Sequence, residues 1–487
     1  MMSIGLMAGI NDDNDQELPL DDKIIIKYDE IDANILDGYI YRGEGNANIV
    51  IALPSARSVL RFRKIKSTDV VTIDEHRARV EFEWKFFKQY ISVYLDNFVN
   101  LPEILQCHPR DIPDWDRLVE LVRPSHRRHK NVYEEYASKM PDYSLLPAYL
   151  EDKFNDKPTY CIEIKPKQGF VPQADRYLQK CPYCINQFYK ITKKKISQRS
   201  RYCPCDLFSG DVSRLHRAID ALVESPQNNF IVFKSGFHAW GEGCERKELE
   251  RLLTEWFSDN SSADTRHLFE DLNYLVGEAL LREFNVNRED NNSLTVDPIK
   301  LNEIITAHSN KHHLDYDTIH KAETNLSLLN EQACKFPDNN LPRGSVLGRI
   351  FRMQQLHCTS ANVIYSIYSS WSASLNEQKV YFSSPEELKL ETNDNNRGET
   401  FISDEITLLR NYLLFSIARD CSILLAFREI NFESVHNISA NNVILLPRQN
   451  RYFTFNAGIT DVDSKKLNRI EKHRQRTIRA LNSITID

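Results

Sequence analysis

Residues 161–167 read Cys-Ile-Glu-Ile-Lys-Pro-Lys, and no other segment narrows the possible folds as much. Side chains alternate across a strand, so Ile162 and Ile164 take one face while Glu163, Lys165 and Lys167 take the other. A fold that accepts this segment needs a sheet with one apolar face on a core and a charged face turned elsewhere. Like charges two residues apart repel unless an anion or a carboxylate lies between them. An anion is the economical reading, and Lys190, Lys193, Lys194, Lys195, Arg199 and Arg201 extend the basic surface. The triple lysine taken alone has the form of a solvated charge run.

With 487 residues, 41% of them hydrophobic, the chain has room for about three domains or one two-lobed enzyme. Its net charge of −7 argues against bulk coating of nucleic acid, and no specific nucleic-acid partner is expected. That total averages opposed segments. Residues 1–30 hold eight acids against two lysines, whereas 161–217 hold twelve Lys or Arg against four acids, and 461–480 seven against three. The acidic arm, residues 1–27, has no Lys or Arg before Lys23 and so lacks the basic start of a secretory signal. No apolar stretch approaches the ~18 residues of a membrane span. The expectation is a monomeric protein without a membrane partner, cytoplasmic and/or nuclear.

Glycine is scarce, 15 residues against a usual share of about 7%, so clusters of it are informative. Gly43-Glu-Gly-Asn-Ala-Asn48 separates two strand-like runs, and such a turn lets backbone N–H groups approach phosphate, although a plain hairpin turn has the same composition. Arg61 follows on the next strand, where a kinase-like lobe carries a cation for nucleotide phosphates. Residues 77–95 have helical apolar spacing, 240–345 are rich in helical patterns, and 374–403 read as a long polar loop. A helix over 404–416 and a buried strand over 421–427 follow.

Asp420 and Asp461 flank that strand-rich end of the chain. One could accept a hydroxyl proton while the other holds Mg²⁺, the division of labour phosphoryl transfer requires. Asp461, Lys465, Arg469 and His473 recur every four residues and share a face if this segment is helical. Four of the ten cysteines lie between 181 and 205, a pattern that in an intracellular chain suggests metal. Cys181 and Cys184 have zinc-knuckle spacing, Cys203 and His216 complete a tetrahedral set, and Cys205 competes as the third thiolate. Walker A, HExxH and Asp-Phe-Gly signatures are missing, and His108-Pro-Arg-Asp111 lacks the downstream Asn of a protein-kinase catalytic loop.

Taken together, Tyr41-Arg-Gly-Glu-Gly-Asn-Ala-Asn48, Glu163-Ile-Lys-Pro-Lys-Gln-Gly-Phe170, Tyr202-Cys-Pro-Cys-Asp-Leu-Phe-Ser-Gly210, Pro226-Gln-Asn-Asn-Phe230, Asp420-Cys-Ser-Ile423 and Asp461 with Lys465 resemble the inositol-pentakisphosphate 2-kinase family. The resemblance implies ATP-dependent phosphorylation of the 2-hydroxyl of inositol 1,3,4,5,6-pentakisphosphate, giving the hexakisphosphate, with ATP, Mg²⁺ and structural Zn²⁺ as cofactors. It implies an α+β, two-lobed inositide-kinase-like fold, distantly protein-kinase-like, with a helix-rich insertion in the larger C-terminal lobe. The nucleotide lobe would span 28–145 and the inositol-phosphate lobe 146–487, strand 161–167 belonging to either. Gly45, Asn46, Ala47, Asn48, Arg61 and Glu163 would then serve the nucleotide. Asp420 would activate the axial 2-hydroxyl, and Asp461 would bind magnesium. Arg127, Lys165, Lys167, Lys190, Asn228, Lys465 and Arg469 would grip the substrate phosphates, with His473 where the family has a tyrosine. The Cys and His spacing resembles the zinc site of the family's animal members. The alternative is a non-catalytic binding scaffold for inositol polyphosphates or RNA.

Overall fold

The strand-forming segments sort into two six-stranded sheets in the computed structural model, which describes residues 26–27, 39–45, 47–65, 71–106, 122–130, 136–151, 156–257, 265–286, 295–309, 311, 314–383 and 399–485. The first sheet contains β1 (Ile26–Lys27), β2 (Ile40–Glu44), β3 (Asn48–Leu53), β4 (Ser58–Arg63), β5 (Glu103–Gln106) and β6 (Tyr136–Pro141). Their spatial order is β1-β5-β6-β4-β3-β2, antiparallel except where β1 meets β5. In β4, buried Leu60 and Phe62 alternate with half-buried Val59, Arg61 and Arg63. The apolar set joins Ile49, Ile51 and Leu53 in a small core, and the alternation turns Arg61 away from it.

α1 (Ile73–Phe86) opens with a capping box between Thr72 and Glu75. It runs on through a π turn, Phe87–Ile91, into Ser92–Leu95, so the segment expected to be helical over 77–95 is one bulged helical rod.

The second sheet is antiparallel throughout, in the order β11-β12-β10-β7-β8-β9. Its strands are β7 (Tyr160–Ile164), β8 (Phe230–Lys234), β9 (Phe237–Trp240), β10 (Ser422–Ile430), β11 (Val443–Leu446) and β12 (Arg451–Thr460). The larger hydrophobic core forms here, with Ile162, Ile164, Ile423 and Phe455 fully buried. Around it stand α2 (Pro182–Thr192), α3 (Val212–Glu224), α4 (Ala361–Trp371), α5 (Glu399–Ala418) and α6 (Arg469–Leu481). Four further helices, Arg246–Phe257, Thr265–Leu281, Pro298–His308 and Tyr316–Leu328, make 240–345 helix-rich, as the sequence pattern requires. A buried polar chain ties this region to α5: His308 lies 2.8 Å from Ser366 and 2.7 Å from Glu405, and Trp371 Nε1 donates to Glu405 at 2.6 Å. Two mixed α and β halves thus give an α+β protein, and no helix among the described residues is long and apolar enough to cross a membrane.

Three sequence expectations need correction. The strand expected over 161–167 stops at Ile164, because Pro166 has no N–H for the ladder and Lys167 takes a left-handed φ of 61°. Asp461 and His473 do not share one helix: Thr460 still pairs with Ser422, Asp461 has φ 62°, and α6 begins only at Arg469. The expected loop at 374–403 contains the helix Glu377–Phe382 and the start of α5, while 384–398 lie outside the described residues. The acidic arm, 1–27, lies outside them too, apart from β1.

Candidate active site

Antiparallel register explains how distant segments meet. Ser422 opposes Thr460, Ile423 opposes Ile164, and Ile164 opposes Phe230. The C-terminal ends of β7 and β12 and the N-terminal ends of β8 and β10 therefore share one edge of the sheet. That edge gathers residues 165–167, 228–229, 419–422 and 461–463, and Lys165 N–H extends the pairing by donating to Asn229 C=O at 2.9 Å.

One part of this edge is a compensated charge lattice. Lys165 Nζ donates to the buried Ser422 hydroxyl at 2.9 Å and lies 3.2 Å from both Glu163 and Asp461. Ser422 in turn donates to Glu163 at 2.8 Å and sits 3.3 Å from Asp461. Burial would lower the Lys165 pKa, but Glu163 and Asp461 outweigh it and raise the pKa above the ordinary lysine value. From the first sheet, Arg61 and Asn48 both reach Asp463 at 2.8 Å. Burial pushes Asp463 up, and Arg61 followed by Lys465 pulls it further down, below the usual carboxylate range. Ser464 donates to Glu83 of α1 at 2.9 Å, so helix, sheet and loop are tied at this point.

The other part is a cation-rich cavity of about 530 Å³, walled by α2, α6, the C-terminal end of α5 and the segment after β7. Lys167, Lys190, Asn228, Asp420 and His473 line it, so sequence reasoning assigned these five and the fold brings them together. Asp420 follows α5 and pairs with Arg469 at the start of α6. Burial would raise its pKa, but Arg419, Arg469, Lys465 and Lys167, in that order, hold it below the ordinary value and keep the carboxylate ionised. Lys167 is pushed down to about 8, first by burial and then by Lys165, Lys190 and Arg419, against the pull of Asp420. Lys190 is also lowered, chiefly by burial, and donates to Gln227.

The remaining assigned residues are distributed differently. Gly45 N–H closes a turn on Asn48 C=O at 2.9 Å, Ala47 C=O accepts from Lys64 N–H at 2.8 Å, and Asn46 lies outside the described residues. Buried Glu44 anchors this turn to Lys64 and Arg123. Arg127 does not line the cavity; its charge acts near Tyr41 and Lys64 on the first sheet.

Cysteine chemistry is corrected by the fold. The sulfurs of Cys181, Cys184, Cys203 and Cys334 lie within 4.8 Å of one another. Their contacts of 3.4, 3.9, 3.7 and 4.0 Å bracket the ~3.8 Å edge of a tetrahedron built on ~2.3 Å Zn–S bonds. Contacts from Cys181 first hold Cys203 down at about 4, the thiolate form metals take. His216 is not a ligand: α3 carries it against Gly277, beside Asp220 and Asp271. Cys205 points its thiol to Gly169 C=O instead, 3.7 Å away. Cys334 stands 131 positions after Cys203, beyond any motif spacing.

Sequence reasoning also missed Asp463, Glu83 and Arg476. Asp463 is two positions after Asp461, and Arg476 falls seven after Arg469 on the same helical face; both spacings are visible in the chain once α6 is known to begin at Arg469.

The profile described as inositol-pentakisphosphate 2-kinase matches residues 41–477. The inositol-pentakisphosphate 2-kinase of Danio rerio is 25% identical over 472 residues, covering 90% of this chain and 91% of that protein. Its counterpart in Arabidopsis thaliana is 23% identical over 483 residues, with 89% and 90% covered. The Drosophila melanogaster protein of the same name is 26% identical over 346 residues, half of this chain.

Proposed function

The chain belongs to the inositol-pentakisphosphate 2-kinase family, and from that premise we propose how its residues divide the work of phosphoryl transfer. The enzyme phosphorylates inositol pentakisphosphate to inositol hexakisphosphate. The observation that carries the assignment is Asp420, the carboxylate at the meeting of the compensated lattice and the cationic cavity.

In this reading the two sheets belong to two kinase-like lobes, 28–145, which β1 joins from the arm, and 146–487. The glycine turn, with Arg61 and Glu163, serves ATP, and Asp461 with Asp463 offers the carboxylate oxygens that suit Mg²⁺. Magnesium, when bound, neutralises charge on the nucleotide phosphates. Lys165, Lys167, Lys190, Asn228, Lys465, Arg469 and His473 hold the substrate phosphates. Asp420 accepts the proton of the 2-hydroxyl as that oxygen bonds to the γ-phosphorus and ADP leaves. Its held-down pKa keeps it ionised at neutral pH. Arg469, its partner here, is then drawn to a phosphate, which frees the carboxylate. The four clustered thiols hold structural Zn²⁺, fixing the start of α2 and through it Lys190.

The test is anion-exchange detection of hexakisphosphate from purified protein, ATP, Mg²⁺ and the pentakisphosphate. Product from the native chain and none from Asp420→Ala is the expected result. No product from a folded native chain, or equal product from both, would overturn the reading.

A further inference from the structure

We propose that Arg419, Arg476 and the Nε2–H of His473 form a seat for one substrate phosphate that is not transferred, and that this seat makes the enzyme select rings carrying it. The proposal rests on the kinase reading above and adds two residues to it.

All three line the cavity. Arg469, His473 and Arg476 are spaced at i, i+4 and i+7 on α6, one face of the helix, and Arg419 closes the adjoining end of α5. Neighbouring arginines are engaged: Arg469 pairs with Asp420, Arg474 donates to Asn362 at 3.0 Å, and Arg479 donates to Gln475 C=O at 3.1 Å. Arg419 and Arg476 have guanidinium groups that form no ion pair or hydrogen bond with the described residues; Arg419 lies only over the Phe415 ring, 5.7 Å away. Two unpaired guanidiniums in a partly buried wall repel each other. Burial and then Arg419 lower the Arg476 pKa, with Arg469 and Arg479 adding to the effect.

His473 supplies the independent observation. It is 4% exposed, and its Nε2 is buried without a hydrogen-bond partner. Burial first, then Arg419, Arg469, Arg476 and His357, push its pKa well below 6.5, so the ring is neutral. Its Nδ1 lies 3.0 Å from the Tyr412 hydroxyl, whose pKa burial raises to about 12. If Tyr412 donates to Nδ1, the ring proton sits on Nε2 and one donor remains to be satisfied; the opposite tautomer would strand both the phenol proton and the Nε2 lone pair. The economical state therefore presents an unsatisfied N–H donor in the cavity wall that Arg419 and Arg476 also line. A phosphate dianion accepts from all three. A ring hydroxyl in its place leaves two cations and a donor uncompensated, and a site built for a polar group rejects analogues lacking it.

Arg476→Gln, compared with the native chain on the pentakisphosphate and on a panel of tetrakisphosphate isomers, tests the seat. Its KM for the pentakisphosphate should rise about tenfold or more with kcat within about twofold, and discrimination against one isomer should fall by a similar factor. Arg476→Lys should recover part of the affinity. An unchanged KM, or an equal loss on every isomer, overturns the seat. Calorimetric titration of both chains with the same isomers reads the seat without turnover. A native chain that binds selectively but makes no hexakisphosphate would sink the kinase reading and leave the seat standing.

Discussion

Two neighbouring charge clusters at one sheet edge are built on opposite terms. In the lattice, each cation has its acid: Arg61 has Asp463, and Lys165 has Glu163 and Asp461. In the cavity, Lys167, Arg419 and Arg476 have none within ion-pair distance among the described residues. A paired cluster is rigid and holds its geometry whether or not a ligand arrives. An unpaired one stores repulsion and desolvation that only an incoming polyanion relieves. The contrast suits a nucleotide end that must be aligned and a substrate end that must grip many phosphates.

The strongest way to break this contrast is at the residue between the two clusters. Asp420→Asn should lower kcat by about 10²–10⁴ while hexakisphosphate binds at least as tightly, because a negative charge leaves a cationic cavity. Steady-state rates with calorimetry check both halves, and an unchanged kcat would remove Asp420 from the chemistry. Next comes the paired side: Glu44→Ala strands the buried Lys64 and Arg123 charges and should cost about 3–5 kcal/mol in denaturant unfolding. A loss under ~1 kcal/mol would show that this pairing is not what anchors the glycine turn.

The cavity wall itself depends on the cysteine corner. On the proposed zinc assignment, Cys334→Ser should release the metal and lower the melting midpoint, whereas His216→Ala should retain it; stoichiometric metal analysis of both variants separates them.

A smaller effect has opposite signs on the two sides. Removing an uncompensated cation, Lys167→Gln, should raise the melting midpoint of protein without substrate, and removing a compensated one, Lys165→Gln, should lower it. The pH dependence follows from the same cause. Lys167 in the folded chain releases its proton at about 8, below the unfolded value, so the penalty of charging it is complete below pH 8. Stability should therefore climb between about pH 8 and the ordinary lysine value near ~10.4, while pentakisphosphate affinity falls over the same rise. Both trends should shrink in Lys167→Gln, leaving the part that Lys190, lowered by the same burial, contributes. The smallest change belongs to Lys193→Ala, an exposed member of the triple lysine, expected to shift stability by less than about 0.5 kcal/mol.

Much of the local structure was legible. The glycine turn and its flanking strands, the helical spacing within 77–95 and the buried strand over 421–427 follow from period and turn residues, whereas the helix start at Ile73 on its Thr72 cap was not read from the sequence. Asp420, Lys167 and Lys190 could be singled out because their types and neighbours were unusual for a solvated surface. Other features had no local signal. Lys167 leaves the strand alternation, yet its left-handed backbone turns it into the cavity wall. His216 matched zinc spacing in the sequence, but the rigid helix α3 carries it away from the thiols.

The sequence alone determined most of the strand and helix segments and which residue types carry charge, since these depend largely on a residue and its close neighbours. Only the tertiary structure decided which charges are compensated. Coulomb energy depends on separation and on the surrounding dielectric, and the register of β7, β10 and β12 sets both for residues hundreds of positions apart. That register turned Lys165 into a paired lattice member and left Lys167, two residues on, with no acid at ion-pair distance among the described residues.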